Sequence, residues 1–130
     1  MILVDSCVLF DLATRDPQWF DWSLEKITHF GSVDTLVYNP VIYAEVGAKV
    51  ALRSDLDDRF SGWRFDPFDL DVAWRAARAH ADYRAKGGTR ERVLGDFWIG
   101  AHAAARGWKL LTRNPEDFKT FQLGTNLVHP

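Results

Sequence analysis

The chain contains one cysteine, one methionine and no run of about 18 consecutive apolar residues. A lone Cys7 excludes an internal disulfide and fits a reducing cytoplasm, which is the expected location. Without a long apolar run no membrane-spanning helix is expected, and no basic stretch followed by an apolar one reads as a secretory signal. His29, His80, His102 and His129 show no paired ligand spacing, so zinc is not expected and each reads as a surface or packed residue. A glycine-rich phosphate loop is also missing. Positive charge is not in excess: the formal net charge is −2, which gives no overall attraction to nucleic acid.

What is present is an ordinary globular composition, 47% apolar and 26% charged over 130 residues. One domain spanning residues 1–130 is expected, long enough to bury a proper core. Six Trp and nine Phe supply bulky core and interface material, and Trp19, Phe20 and Trp22 are compatible with a partner or homodimer surface. The charge is unevenly spread. Residues 1–69 hold 6 Lys/Arg against 12 Asp/Glu, whereas residues 70–113 hold 9 against 4. Such a division can set cation-binding carboxylates beside phosphate-binding arginines, although solvated helix faces produce a similar asymmetry.

Met1-Ile2-Leu3-Val4 is a short apolar run without a polar face, the pattern of a strand covered on both sides. Asp16-Pro17 reads as a helix cap and first helical residue before the stripe Phe20, Leu24 and Ile27, with Gly31 as a stop. Thr35–Tyr38 reads as a second strand, and Asn39-Pro40 opens a helix through Val41, Ile42, Ala44, Val46 and Ala48. A shorter helix from Ser54 or Asp55 to near Phe60 follows, then an aromatic connector, Trp63–Phe68. Asp69 caps a long helix whose expected buried stripe is Leu70, Ala73, Trp74, Ala77 and Ala81, ended by Gly87-Gly88. A further helix runs from about Asp96 to Arg106, Trp108–Thr112 is a third clear strand, and Asn126–Val128 a short last one. Strands alternating with helices predict an α/β fold with a mostly parallel sheet and helices on both faces.

Four acids fall where such a sheet would bring them together. Asp5 ends the first strand, Glu45 interrupts an apolar helical run, Asp96 begins a helix and Asp117 closes the turn after the third strand. Each has a plainer reading: Asp5 as a helix cap, and Asp96 as an acid favoured by the helix dipole at roughly 0.3–1 kcal/mol. Gathered in one pocket, they would raise one another's pKa unless a cation sat between them. An all-carboxylate set suits Mg²⁺ or Mn²⁺.

Four blocks carry a family likeness: Asp5-Ser6-Cys7-Val8-Leu9, Asn39-Pro40-Val41-Ile42-Tyr43-Ala44-Glu45, Asp96-Phe97-Trp98-Ile99-Gly100-Ala101-His102-Ala103 and Leu111-Thr112-Arg113-Asn114-Pro115-Glu116-Asp117-Phe118. In this order they resemble the motifs of PIN-domain nucleases, most closely the VapC-type toxins of bacterial toxin–antitoxin (VapBC) pairs, and the loop Gly87-Gly88-Thr89-Arg90 adds to the likeness. The resemblance implies a three-layer α/β/α sandwich, a metal-dependent endoribonuclease and a cognate VapB-type antitoxin. It also implies that Asp5, Glu45 and Asp96 are the core acids, that Ser6 supports the first of them and that Thr112 belongs to the supporting set. Many relatives carry an aspartate where this chain has Asn114; others have Asn there and an aspartate before Phe, as Asp117 stands before Phe118. Asp117 is therefore the expected fourth acid, with Asn114 its neighbour.

On this reading Asp5, Glu45, Asp96 and Asp117 hold Mg²⁺ or Mn²⁺ and are the catalytic set, and Glu45 is a candidate to orient or deprotonate water. Arg90, Arg92 and Arg113 are candidates for the RNA backbone, or else solvated surface charges. Two other classes remain open. One is a PIN-fold RNA- or protein-binding module with weak catalysis, which the irregular fourth block favours. The other is a phosphotransfer protein or phosphohydrolase on a similar sheet, whose phosphatase version expects a second acid where Cys7 stands.

Overall fold

A computed structural model describes residues 1–130. The chain opens with strand β1 (Ile2–Val4), helices α1 (Ser6–Thr14) and α2 (Phe20–Val33), and strand β2 (Leu36–Tyr38). Helices α3 (Pro40–Gly47) and α4 (Arg53–Arg59) precede β3 (Arg64–Phe65). Helices α5 (Leu70–Ala85) and α6 (Gly95–Arg106) lead to β4 (Lys109–Leu111), two 3-10 turns at Pro115–Phe121 and Gly124–Asn126, and β5 (Leu127–Val128).

All five strands are parallel, in the order β3-β2-β1-β4-β5, with Ile2 opposite both Leu36 and Lys109. Strand alternation divides the apolar residues between two faces. Leu3, Val37 and Leu110 join Ile42, Val46, Leu56, Phe60, Ile99 and Phe118 on one side. Ile2, Val4, Leu36 and Leu111 join Cys7 and Val8, with Trp22, Ile27 and Phe30 packed against them, on the other. Helices thus cover both faces, giving the three-layer α/β/α sandwich expected. The chain moves outward from β1 to β2 and β3, then crosses back to β4 on the other flank of β1. This reversal of strand order falls at the carboxyl ends of β1 and β4, the position where open parallel sheets place their ligands.

Several local expectations hold because the chemistry is local. Asn39 caps α3, its side-chain oxygen accepting from the Ile42 N–H at 2.9 Å, with Pro40 the first helical residue. Its amide nitrogen therefore donates to His102 Nδ1 at 3.0 Å, which leaves the ring's Nε2–H to donate to Asp66 at 2.8 Å. Burial lowers the His102 pKa, against the pull of Asp66, so the ring stays neutral as a packed residue. Gly107 stops α6 at φ +64°.

Three elements differ from the pattern. Periodicity marks no separate helix between the first strand and Asp16, yet α1 occupies Ser6–Thr14. Its inward face carries Asp11, only 1% exposed, and a buried acid breaks the apolar stripe that would reveal the helix. Helix α2 begins at Phe20: the Asp16 side chain accepts from the Gln18 and Trp19 N–H groups and forms a turn ahead of it. Trp19 and Trp22 meet edge to face, both partly buried.

The stripe of α5 is the third difference. Leu70 and Trp74 are 87% and 61% exposed, and the buried residues are Val72, Ala76 and Ala79. These small side chains let α5 approach Phe97 and Ala101 of α6, whereas Leu70 and Trp74 there would hold the helices apart. Ala76→Leu should accordingly cost about 1–3 kcal/mol of stability. Leu70→Ala should change it by less than about 0.5 kcal/mol, both changes being read by urea titration. The opposite order of sensitivity would return the buried stripe to Leu70 and Trp74.

Candidate functional site

Asp5 lies immediately after β1, at the N-cap position of α1, but its side chain makes no capping bond. Its N–H reaches across to the Leu111 carbonyl at 2.9 Å, tying the end of β1 to the end of β4. The carboxylate is 4% exposed and its two oxygens differ. Oδ2 accepts from Thr112 Oγ1 at 2.7 Å and from Cys7 Sγ at 3.2 Å. Thr112 Oγ1 itself accepts from the Asn114 N–H at 3.0 Å, so its one proton is directed at Asp5. Oδ1 has only Ser6 Oγ, at 3.4 Å, and the Ser6 proton goes to Glu45 in a much closer contact. Oδ1 is the oxygen left free to bind something else.

Glu45 lies on the face of α3 turned to the start of α6. Gly95 makes room for it: a Cβ at Gly95 would collide with Glu45 Oε1. Nothing in the sequence pattern distinguishes this glycine from a residue entering a helix, and its role emerges only when α3 and α6 are brought together. Asp96 follows in the first turn of α6, and Asp117 lies exposed in the 3-10 turn after β4.

The four acids act on one another. The Asp96 pKa is pushed up to about 7, by burial first and then by the charges of Asp5, Asp117 and Glu45. A helix N-terminus acts in the opposite direction on an acid, so the dipole reading of Asp96 is outweighed. Glu45 is also raised, chiefly by burial, with Ser6 opposing and Asp5 adding. Asp117, although exposed as a residue, is raised by partial desolvation of its carboxyl, then by Asp5 and Glu116. Burial and Asp5 push the Cys7 thiol up to about 12, so it remains a neutral donor. For stability the sign is clear. An acid whose folded pKa lies above its ordinary 3.8 contributes most below that value and loses this contribution as pH rises through about 7.

No lysine or arginine forms an ion pair with any of the four; the structure's ion pairs lie elsewhere. The side chains as they stand do not form a closed cluster of three or more ligands. The donor chemistry nonetheless fits Mg²⁺ or Mn²⁺: oxygen only, anionic and uncompensated, with Asp5 Oδ1 free. Mg²⁺ is usually held by one or two carboxylates and several waters, so a closed protein cage is not required.

The remaining sequence candidates separate. Arg90 and Arg92 are exposed on the loop before α6, where the Arg90 N–H donates to Tyr83 Oη at 3.3 Å. Arg113 turns back to Asp11, its Nε donating to both carboxylate oxygens at 2.9 and 3.0 Å. Asn114 contributes its backbone N–H to Thr112. Gly95→Ala should push Glu45 aside and raise the Mn²⁺ dissociation constant by about tenfold or more in calorimetry. Thermal stability should hold or rise, since alanine favours a helix by up to about 1 kcal/mol over glycine. Unchanged Mn²⁺ affinity would show that Glu45 is not part of the ion's surroundings.

Comparison with curated protein sequences finds no match. Among solved structures the chain is similar to VapBC-1 from nontypeable Haemophilus influenzae, at 19% identity and a TM-score of 0.72, covering 100% of this chain and 97% of that one. It is similar to FitAcB from Neisseria gonorrhoeae at 21% identity and a TM-score of 0.70, covering 100% and 97%. VapBC2 from Rickettsia felis, bound to a DNA fragment from their promoter, matches at 21% identity and 0.68, covering 100% and 98%. At such identities these structures establish the fold. The PIN domain family model matches residues 2–122, from β1 through the turn that carries Asp117. The chain therefore belongs to the PIN domain family.

Proposed function

We propose that this protein is the toxin of a type II toxin–antitoxin pair, a VapC-type endoribonuclease dependent on Mg²⁺ or Mn²⁺. The observation that carries the reading is the set of four mutually repelling acids at the carboxyl ends of β1 and β4, with no basic residue paired to any of them. Asp5 and Asp96 are the residues that hold the ion, with Glu45 and Asp117 beside them. When bound, the ion acidifies water near neutral pH and neutralises charge building on the phosphoryl group under attack. Glu45, close to Ser6 and raised in pKa, orients the attacking water or takes its proton. Arg90, Arg92 and the remaining donors of Arg113 hold the RNA backbone on either side.

A cognate antitoxin, homodimerisation and a cytoplasmic location belong to the same reading. The antitoxin is supported by the solved neighbours, VapBC assemblies and a toxin–antitoxin complex from Klebsiella pneumoniae. A second reading, a PIN-fold binding module with weak catalysis, draws on the open arrangement of the acids and on Asn114 in the fourth block.

Labelled single-stranded and hairpin RNAs, incubated with the purified protein, separate the two. Cleavage should require Mg²⁺ or Mn²⁺, stop in EDTA and fall by more than about 100-fold in Asp5→Ala and Asp96→Asn, beyond the usual loss from changes outside the ligand set. Full cleavage in EDTA or by Asp5→Ala would defeat the nuclease reading. RNA binding without cleavage, unaffected by Asp96→Ala, would favour the binding module.

A further inference from the structure

Asp11 is the most deeply buried acid of the chain, at 1% exposure, and takes no part in the acidic set. Burying a carboxylate is costly unless it is paired and hydrogen-bonded, and Asp11 is both. Arg113 Nε donates to its two oxygens at 2.9 and 3.0 Å, and Ser23 Oγ donates to Oδ2 at 2.8 Å. The pair joins α1 to the residue next to Thr112, more than a hundred positions along the chain. We propose that Asp11 and Arg113 are positioning residues that aim Asp5 Oδ1 into the acidic site, a role resting on the metal-dependent reading above.

The path is short. Asp11 fixes the Arg113 side chain, and with it the turn that leaves β4. That turn places the Asn114 N–H 3.0 Å from Thr112 Oγ1. With its acceptor position filled, the Thr112 hydroxyl donates to Asp5 Oδ2 at 2.7 Å. The Arg113 backbone N–H also faces the Cys7 sulfur, whose proton goes to the same Asp5 oxygen. Both neighbours hold Oδ2, so Oδ1 keeps its lone pairs for a cation. If the turn loosens, Thr112 is free to rotate and Asp5 loses its fixed orientation.

Arginine is needed here because its planar guanidinium directs Nε at both oxygens while the rest of the group stays partly exposed, at 27%. A lysine would keep the charge, and so an RNA phosphate contact, but would lose this geometry. Outer-shell partners of ligand carboxylates typically govern metal affinity by about 10–100-fold, and Asp11 acts one bond further out through Arg113.

Mn²⁺ binding by calorimetry and RNA cleavage kinetics, measured on Asp11→Asn, Arg113→Lys and the double variant, test the assignment. Each single change should raise the Mn²⁺ dissociation constant by about tenfold and lower kcat, with KM for RNA unchanged. The double variant should be no worse than the worse single, as expected of residues acting as one unit. Unchanged Mn²⁺ affinity with a raised KM in Arg113→Lys would make Arg113 a plain phosphate contact and overturn the proposal, as would additive losses. Ser23→Ala removes one bond to Asp11 and leaves the ion pair, so it covers the case in which Asp11→Asn does not fold. It should show a smaller weakening in the same direction, and wild-type Mn²⁺ affinity in both Ser23→Ala and Arg113→Lys would also overturn the proposal. Asp5→Ala separates the two levels. If it binds Mn²⁺ like wild type, the metal site itself is misassigned. If it alone loses binding, only the positioning role fails.

Discussion

Mutual repulsion among Asp5, Glu45, Asp96 and Asp117 is the constraint around which the rest of this structure is arranged. The fold places the four within reach of one another's charge and supplies no lysine or arginine to offset them, and burial first, with these charges added, pushes Asp96 up to about 7. Such an arrangement weakens the fold at neutral pH, and an oxygen-binding cation is the natural remedy. The site's other features follow. The hydroxyls of Ser6 and Thr112 and the Cys7 thiol donate to the carboxylates without neutralising them, and Gly95 withholds a Cβ so that Glu45 can approach.

Acids outside the site are treated differently. Asp11 is paired with Arg113 and bonded by Ser23, and Asp66 meets both Arg106 and His102. Asp11 and Asp66 thus have basic partners, whereas the acids at the carboxyl ends of β1 and β4 have none. That contrast gives the site its specificity better than the acidity of the first half of the sequence, which is largely surface charge. The strand order produces the convergence: β1 lies between β2 and β4, so Asp5 faces Thr112 from one neighbour while α3, following the other, delivers Glu45.

Much of this was legible from residues in order. The apolar strand before Asp5, the Asn39-Pro40 helix start and the stop at Gly107 rest on contacts within a few positions, and the structure has them where the pattern places them. What local pattern hides is whatever depends on a distant partner. Asp11 breaks the stripe of α1 because its counter-ion lies at the other end of the chain. The α5 stripe selects small residues because α6 presses against it, so the larger Leu70 and Trp74 face solvent. Gly95 looks like a helix entrance until Glu45 arrives from α3, and His102 looks like an isolated histidine until Asn39 and Asp66 fix both its nitrogens.

The central claim is that four acids share one field that a divalent cation relieves. Titration of the Asp96 side-chain carboxyl by NMR, with and without Mg²⁺, addresses it most directly. The account predicts a midpoint at about 7 in EDTA, moving down by several pH units when Mg²⁺ is added. A midpoint near the ordinary 3.8 in EDTA, or one that Mg²⁺ leaves in place, would contradict it.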